Sequence, residues 1–238
     1  LKIAIISDIH GNLEALQTTL KYIQSQGITR IICLGDIVGY GPFPNECVEL
    51  TRKYSEKCLL GNHDAAAVDQ TDISFFNQYA RDAALWTRKV LTEYNRQYLA
   101  NLPLEYREGD VLFVHSTPEN PETWDYIQSE FEARMYMQHI SARVVFIGHS
   151  HIPVIFSHTE GAFYEEDVQL EENDKYIINV GSIGQPRDGD PRLCFVILDI
   201  EENHVQYVRL DYDIQKTYEA ILENKLPPFL AMRLLSGH

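Results

Sequence analysis

The sequence predicts an α/β protein in which two sheets pack face to face with helices outside. Three observations lead there. Residues 2–59 alternate strand and helix signals, which implies parallel strands joined by right-handed crossovers. Beyond residue 101 the pattern changes to strands joined mostly by short turns, a mainly antiparallel grammar. No internal repeat, low-complexity tract or Gly/Ser linker divides the 238 residues, so residues 1–238 are read as one domain.

The elements follow in order. Residues 2–7 form an apolar run that ends in polar residues, a buried strand leading into a loop. Asn12 is placed to cap a helix whose Leu13, Leu16, Leu20 and Ile23 recur at helical spacing, and Gly27 stops it. Residues 30–34 read as a second strand, 44–53 as a helix and 56–59 as a third strand. Residues 72–101 read as mainly helical, with Phe76, Tyr79, Ala83, Val90, Leu91 and Tyr94 as an apolar stripe expected in the core. Strands are then expected at 111–114, 143–147, 154–157, 176–180, 192–200 and 204–210, interrupted by helices at 129–139 and 214–222.

Composition removes several function classes. With 20 Lys+Arg against 35 Asp+Glu the formal charge is −15, which repels long nucleic acids and disfavours a DNA exonuclease. The apolar runs, such as 193–198, are far shorter than a membrane span. Residues 1–7 lack the pattern of a secretory signal because Asp8 and His10 break the apolar stretch. Cys33, Cys47, Cys58 and Cys194 show no Cys-x-x-Cys spacing, so buried free thiols in a cytoplasmic protein are expected. The sequence contains no Walker A loop, His-Glu-x-x-His or Gly-x-Ser-x-Gly motif. A homo-oligomer is compatible with this composition, and the sequence names no interface for one.

The chemistry is concentrated in five short blocks, each at the end of a predicted strand. They are Asp8-Ile9-His10, Gly35-Asp36, Gly61-Asn62-His63-Asp64, His115, and Gly148-His149-Ser150-His151. Carboxyl ends of parallel strands line the crevice of an α/β sheet, so loops distant in sequence converge there. A lone Asp after a strand is ordinarily a cap, and a lone loop His is ordinarily a polar surface residue. That reading suits His139, His158, His204 and His238. It fails for Asp8, His10, Asp36, Asn62, His115, His149 and His151 taken together. A set of Asp, His and Asn without thiolate suits Mn²⁺ first, with Fe, Zn²⁺, Ni²⁺ and Co²⁺ as alternatives.

These blocks resemble the calcineurin-like metallophosphoesterases, whose pattern is D-x-H, GD, GNH[DE], H and GHxH in this order. The segment Asn179-Val180-Gly181-Ser182-Ile183, running on to Pro186-Arg187, resembles the N-x-G-S…P-R block of their compact prokaryotic phosphodiesterase branch. The resemblance implies a four-layer α/β/β/α sandwich of two mixed sheets with a di-metal centre. It also implies one metal held by Asp8, His10, Asp36 and His151, and another held by Asp36, Asn62, His115 and His149, with Asp36 bridging. Two such ions share a hydroxide and clamp an in-line displacement at phosphorus. His63 is then expected to act in catalysis, its protonated imidazole donating to the leaving-group oxygen, with Asp64 orienting it or capping a helix over 65–68.

Two departures bear on this. Protein phosphatases of the superfamily extend the GD block with an Arg, whereas here Asp36 is followed by Ile37-Val38-Gly39-Tyr40. The Gly usual after the fourth block is Ser116. Arg187 and Asn12 are the candidates for substrate binding. Trp124 and Tyr126 are expected to pack under a loop, and Asp188 and Asp190 to form a turn. The function expected is hydrolysis of small phosphodiesters or nucleotide-like phosphate esters. The alternatives are a phosphomonoesterase or protein phosphatase on the same site, and a non-catalytic partner-binding scaffold.

Overall fold

Two six-stranded sheets form the centre of the molecule, in a computed structural model that describes residues 1–238. The first runs, in spatial order, β3 (Lys57–Cys58), β2 (Arg30–Cys33), β1 (Lys2–Ile6), β11 (Leu193–Asp199), β12 (His204–Leu210) and β9 (Asp167–Gln169). The second runs β4 (Glu105–Glu108), β5 (Val111–Val114), β6 (Val144–Ile147), β10 (Tyr176–Asn179), β7 (Val154–Ser157) and β8 (Gly161–Phe163). The helices are α1 (Leu13–Ser25), α2 (Pro44–Tyr54), α3 (Asn62–Ala67), α4 (Gln78–Val90), α5 (Glu93–Ala100), α6 (Glu130–His139), α7 (Ile214–Glu223) and α8 (Pro228–Ser236). None is long and apolar enough to cross a membrane.

The layering follows from the two-residue period of strands. In β1, Ala4 and Ile6 face the core under α1 and α2, while Ile3 and Ile5 face the core between the sheets. In β2, Ile31 and Cys33 point one way and Ile32 and the following Leu34 the other. In β6, Val144 and Phe146 enter the inter-sheet core, and Val145 and Ile147 pack with Ala133 and Met137 of α6. Both faces of the central strands are therefore covered, which is why they read as unbroken apolar runs. The result is the four-layer sandwich with two mixed sheets.

Three features differ from the sequence expectation. β4, β8, β9 and α8 were not anticipated: β8 and β9 are three residues each, and β4 (EYRE) carries too little apolar signal. The second half is not uniformly antiparallel, because β5, β6 and β10 pair parallel at its centre. The 72–101 stripe is a core face only in part: Ala83 and Leu91 are buried and Phe76 packs against the same cluster as Ala83, but the tyrosines are not. Ala80, Ala83, Ala84 and Thr87 are the buried side of α4, whereas Tyr79 is 43% and Tyr94 66% exposed. Tyr94 instead lies beneath the Arg52 guanidinium, 4.2 Å from its ring centroid.

The parallel pairing sets up the site. β1, β2 and β3 are parallel to each other, as are β5, β6 and β10. Their carboxyl ends deliver the five blocks to one edge of the sandwich. The corrected α4–α5 packing is open to test. Leu99→Ala, at a fully buried side chain, should cost about 2–5 kcal/mol in urea unfolding. Tyr94→Ala should cost no more than about 1 kcal/mol, the range of an exposed cation–π contact. Comparable losses for both would restore the sequence reading of the stripe.

Candidate metal centre

The β1–α1 and β2–α2 loops are laced together by backbone hydrogen bonds. The amides of Asp8, His10 and Gly11 donate to the carbonyls of Gly35, Asp36 and Ile37 at 3.0, 2.9 and 2.9 Å. From the second sheet, the Gly148 amide donates to the His115 carbonyl at 3.0 Å. The segment after β10 closes the ring, with Gly184 N–H and the Ser182 hydroxyl both donating to the Asp8 carbonyl. Asp8, His10, Asp36, His149 and His151 all have left-handed backbones, with φ between 50° and 66°. Such concentrated strain marks a functional site. Glycines permit the crowding: a Cβ on Gly61 would lie 2.1 Å from Asp36 Oδ1.

The ligand-type atoms converge in two groups that share Asp36. One comprises Asp8, His10, Asp36 and His151; the other comprises Asp36, His115 and His149; all are buried. Asn62 Oδ1 joins the second group, 3.3 Å from His115 Nε2. His10 Nδ1 and His151 Nδ1 donate to the carbonyls of Val38 and Gln185 at 3.1 and 2.6 Å. Those acceptor-only partners fix the tautomers, so both Nε2 atoms carry lone pairs. Yet these two nitrogens lie 3.1 Å apart, and the partnerless buried Asp8 Oδ1 is 3.2 Å from His151 Nε2. Lone pairs aimed at one another across a buried gap fit a cation between them. The donor set therefore fits divalent metal.

The charge states agree for three of the four histidines in the two groups, and His115 stands apart. Burial holds His10 and His151 below the usual imidazole range and pushes His149 down to about 3, so these rings are neutral. Burial opposes ionisation of Asp8 and Asp36, but hydrogen bonding from His151 at Asp8 and the charge and hydrogen bond of His115 at Asp36 outweigh it and hold both carboxyls below their usual range. For His115 the balance reverses: burial lowers it, but Asp36 and Asp8 push it up to about 9.

His63, on the first turn of α3, lines a cleft of about 460 Å³ beside the centre. Its ring packs against Tyr40 at 4.4 Å, His10 at 4.9 Å and Phe76 at 5.0 Å. Burial pushes it down to about 4, against the pull of Asp36, so without substrate His63 is neutral rather than the protonated donor expected. Asp64 does not orient it. Its two carboxylate oxygens accept from the Val38 and Gly61 amides at 3.0 and 3.2 Å, which caps α3 and ties it to the Asp36 loop.

Asn12 is also corrected as a substrate residue, because its amide has no capacity left. Its oxygen accepts from the Ala15 amide and the Thr217 hydroxyl, and its nitrogen donates to the Gly184 carbonyl and the Tyr212 hydroxyl. It caps α1 and fastens that helix to α7. Arg187 lies beside the centre, its amide donating to the His151 carbonyl at 3.3 Å and its guanidinium held by Gln185 Oε1 at 2.9 Å and by the Tyr40 hydroxyl at 3.3 Å. Trp124 and Tyr126 line the cleft instead of packing under a loop. The Trp124 carbonyl accepts from His149 Nε2 at 2.9 Å, and Tyr126 stacks on the His149 ring at 4.0 Å. Ser116 anchors its loop through the Pro121 carbonyl at 2.8 Å. Asp188 and Asp190 pair with Arg209 and Arg192.

Sequence reasoning passed over Tyr40, Phe75, Phe76 and Gln185. Tyr40 had a signal, since a large aromatic between Gly39 and Gly41 marks a close chain path. Phe76 was read into the helical stripe as core instead, and Phe75 had no signal because the loop that carries it shows no periodicity of its own.

This geometry has relatives. Residues 1–203 match the calcineurin-like phosphoesterase superfamily domain. An uncharacterized protein of Methanocaldococcus jannaschii is 43% identical over 241 residues, covering 99% of this chain and 98% of its own. The crystal structure of a metallophosphoesterase from Sphaerobacter thermophilus superposes with a TM-score of 0.90 at 36% identity, covering 100% of this chain and 99% of that one. A hypothetical protein of Pyrococcus horikoshii shares the fold, with a TM-score of 0.81 at 21% identity over 100% and 98% of the chains. With its two buried Asp/His groups joined through Asp36, the chain belongs to the calcineurin-like phosphoesterase superfamily.

Proposed function

We propose that this chain hydrolyses small phosphodiesters or nucleotide-like phosphate esters at a di-metal centre. The observation that carries the reading is the pair of buried ligand groups sharing Asp36 at the foot of an aromatic-walled cleft. Asp8, His10, Asp36 and His151 would hold one ion, and Asp36, Asn62, His115 and His149 the other, with Mn²⁺ the first choice and Fe, Zn²⁺, Ni²⁺ or Co²⁺ as alternatives. Such ions, when bound, supply positive charge to the phosphoryl oxygens and activate water as nucleophile. Because every candidate ligand is present and convergent, a scaffold without catalysis is the weaker reading. Four free, buried cysteines support a cytoplasmic setting.

The chain's own residues divide the remaining work. Tyr40, Phe76, Trp124 and Tyr126 wall the cleft with apolar surface suited to an aryl or nucleobase group. Asn62 contributes a neutral amide oxygen, which limits negative charge facing an anionic substrate. His63 stands at the cleft wall where a leaving group would depart. Its neutral resting state means that the phosphate anion must raise it before it can give a proton. The net charge of −15 keeps long polyanions away.

Asp36→Asn should lower metal content from two equivalents by at least one, read by elemental analysis after loading. Full metal content with full activity would remove the bridging role. His63→Ala should retain metal yet slow turnover by roughly 10²–10⁴ on alkyl esters and by less on activated aryl esters. Equal losses on both leave His63 with a binding role only. The substrate class is read from kcat/KM for a bis-aryl phosphate, a mononucleotide, a phosphopeptide and single-stranded DNA under one metal condition. Either of the first two should lead, and a tenfold preference for the phosphopeptide or the DNA defeats the assignment.

A further inference from the structure

Tyr40 is held in place at some cost to the chain. Its φ is 56°, a left-handed backbone that bulky side chains seldom adopt. The glycines on either side cannot be replaced: a Cβ on Gly39 would lie 2.6 Å from His63 Nδ1, and one on Gly41 2.2 Å from the His10 carbonyl oxygen. The Gly41 amide donates to that same carbonyl at 2.8 Å, which pins the loop to the backbone of a candidate ligand. The Tyr40 ring is thereby set 4.6 Å from that of His10 and 4.4 Å from that of His63. It borders the cleft of about 460 Å³ that Asn62, His63 and His149 also line.

Packing accounts for the ring but not for the hydroxyl. The ring belongs to a cluster with Ile221, Leu230, Ala231 and Leu234, a role that Phe would fill as well. The hydroxyl oxygen accepts from Arg187 Nη2 at 3.3 Å. Arg187 is itself fastened by Gln185 Oε1, which accepts from its Nε and Nη2, and by its amide on the His151 carbonyl. A guanidinium offers no acceptor, so the phenolic proton points away from Arg187, and no protein group receives it. A buried donor left without a partner is costly. The void that Tyr40 borders toward α7 and α8 is about 10 Å³, too small for a ligand, whereas the cleft has room for one.

We propose that Tyr40 contacts the substrate, its hydroxyl donating to a non-bridging oxygen of the phosphoryl group. This rests on the phosphoesterase reading above. Residues 37–43 contain no Lys or Arg, so the only charge brought to this hydroxyl reaches it from the segment after β10. An O–H whose oxygen accepts from a guanidinium is polarised into a stronger donor. The work at phosphorus is then divided, with His63 at the departing oxygen and Tyr40 at an oxygen that stays. A neutral donor gains most as charge builds on that oxygen in the transition state, and it holds the anionic product less tightly than a second cation would.

The test uses Tyr40→Phe in the Mn²⁺-loaded full chain, because Phe keeps the ring and its packing. The variant should retain two equivalents of metal and its melting temperature. It should bind inorganic phosphate at least about fivefold more weakly by calorimetry and lose roughly tenfold in kcat on bis-aryl phosphate. Phosphate binding weakened by less than that overturns the contact. Metal lost or a lowered melting temperature also overturns it, since the effect then comes from a displaced loop. Arg187→Met separates direct donation from the mere holding of Arg187. In that background Tyr40→Phe should still weaken phosphate binding at least about threefold, and no further loss overturns the contact. An unaltered chain that binds phosphate with this dependence on Tyr40 but turns over no ester sinks the phosphoesterase reading and leaves the contact standing. One that does neither sinks both.

Discussion

The molecule is organised around keeping two carboxylates, Asp8 and Asp36, ionised out of water. Burial makes that costly, and the offset comes from aimed donors: the His149 amide on Asp8 Oδ2 at 3.1 Å and the His63 amide on Asp36 Oδ1 at 2.8 Å. Those amides reach the carboxylates because Gly148 and Gly61 leave room beside them. A Cβ on Gly148 would stand 2.5 Å from Asp8 Oδ2, closer than any real Cβ contact. Strand ends, glycines and laced loops are three aspects of one solution.

The centre also joins the two sheets. Asp8, His10, Asp36 and Asn62 come from the first sheet, and His115, His149 and His151 from the second. Between the sheets lies an apolar core crossed by few directional bonds, among them the Tyr207 hydroxyl donating to the Asn179 carbonyl at 2.7 Å and Arg30 paired with Glu108 at 2.8 Å. Ligands drawn from both sides add to these, so the registration of one sheet on the other is also read out at the metal-binding edge.

Much of this was legible in the residues because the relevant signals are local. Alternating strand and helix patterns located β1, β2, β3, α1 and α2, and ligand-type residues at strand ends identified the convergent edge. What was hidden is tertiary. Tyr79 and Tyr94 look like core because hydropathy does not record whether a partner covers them; Ala80 and Ala84 are small enough for close helix packing and join Ala83 in the interior. Asn12 and Asp64 look like site residues because they neighbour ligands, yet their polar atoms are consumed by caps and backbone amides.

The left-handed backbone at Asp8, His10, Asp36, His149 and His151 constrains how such a site can be lost. β-Branched and bulky residues fit that conformation poorly, whereas Asn, Asp and Gly fit it best. Asp to Asn or Gly is a single-base change in the genetic code. The substitutions the loops accept with least strain are thus the ones that strip away charge and ligand while sparing the chain path. Mutational drift in this architecture has an easy direction, toward descendants that keep the sandwich and forfeit the chemistry.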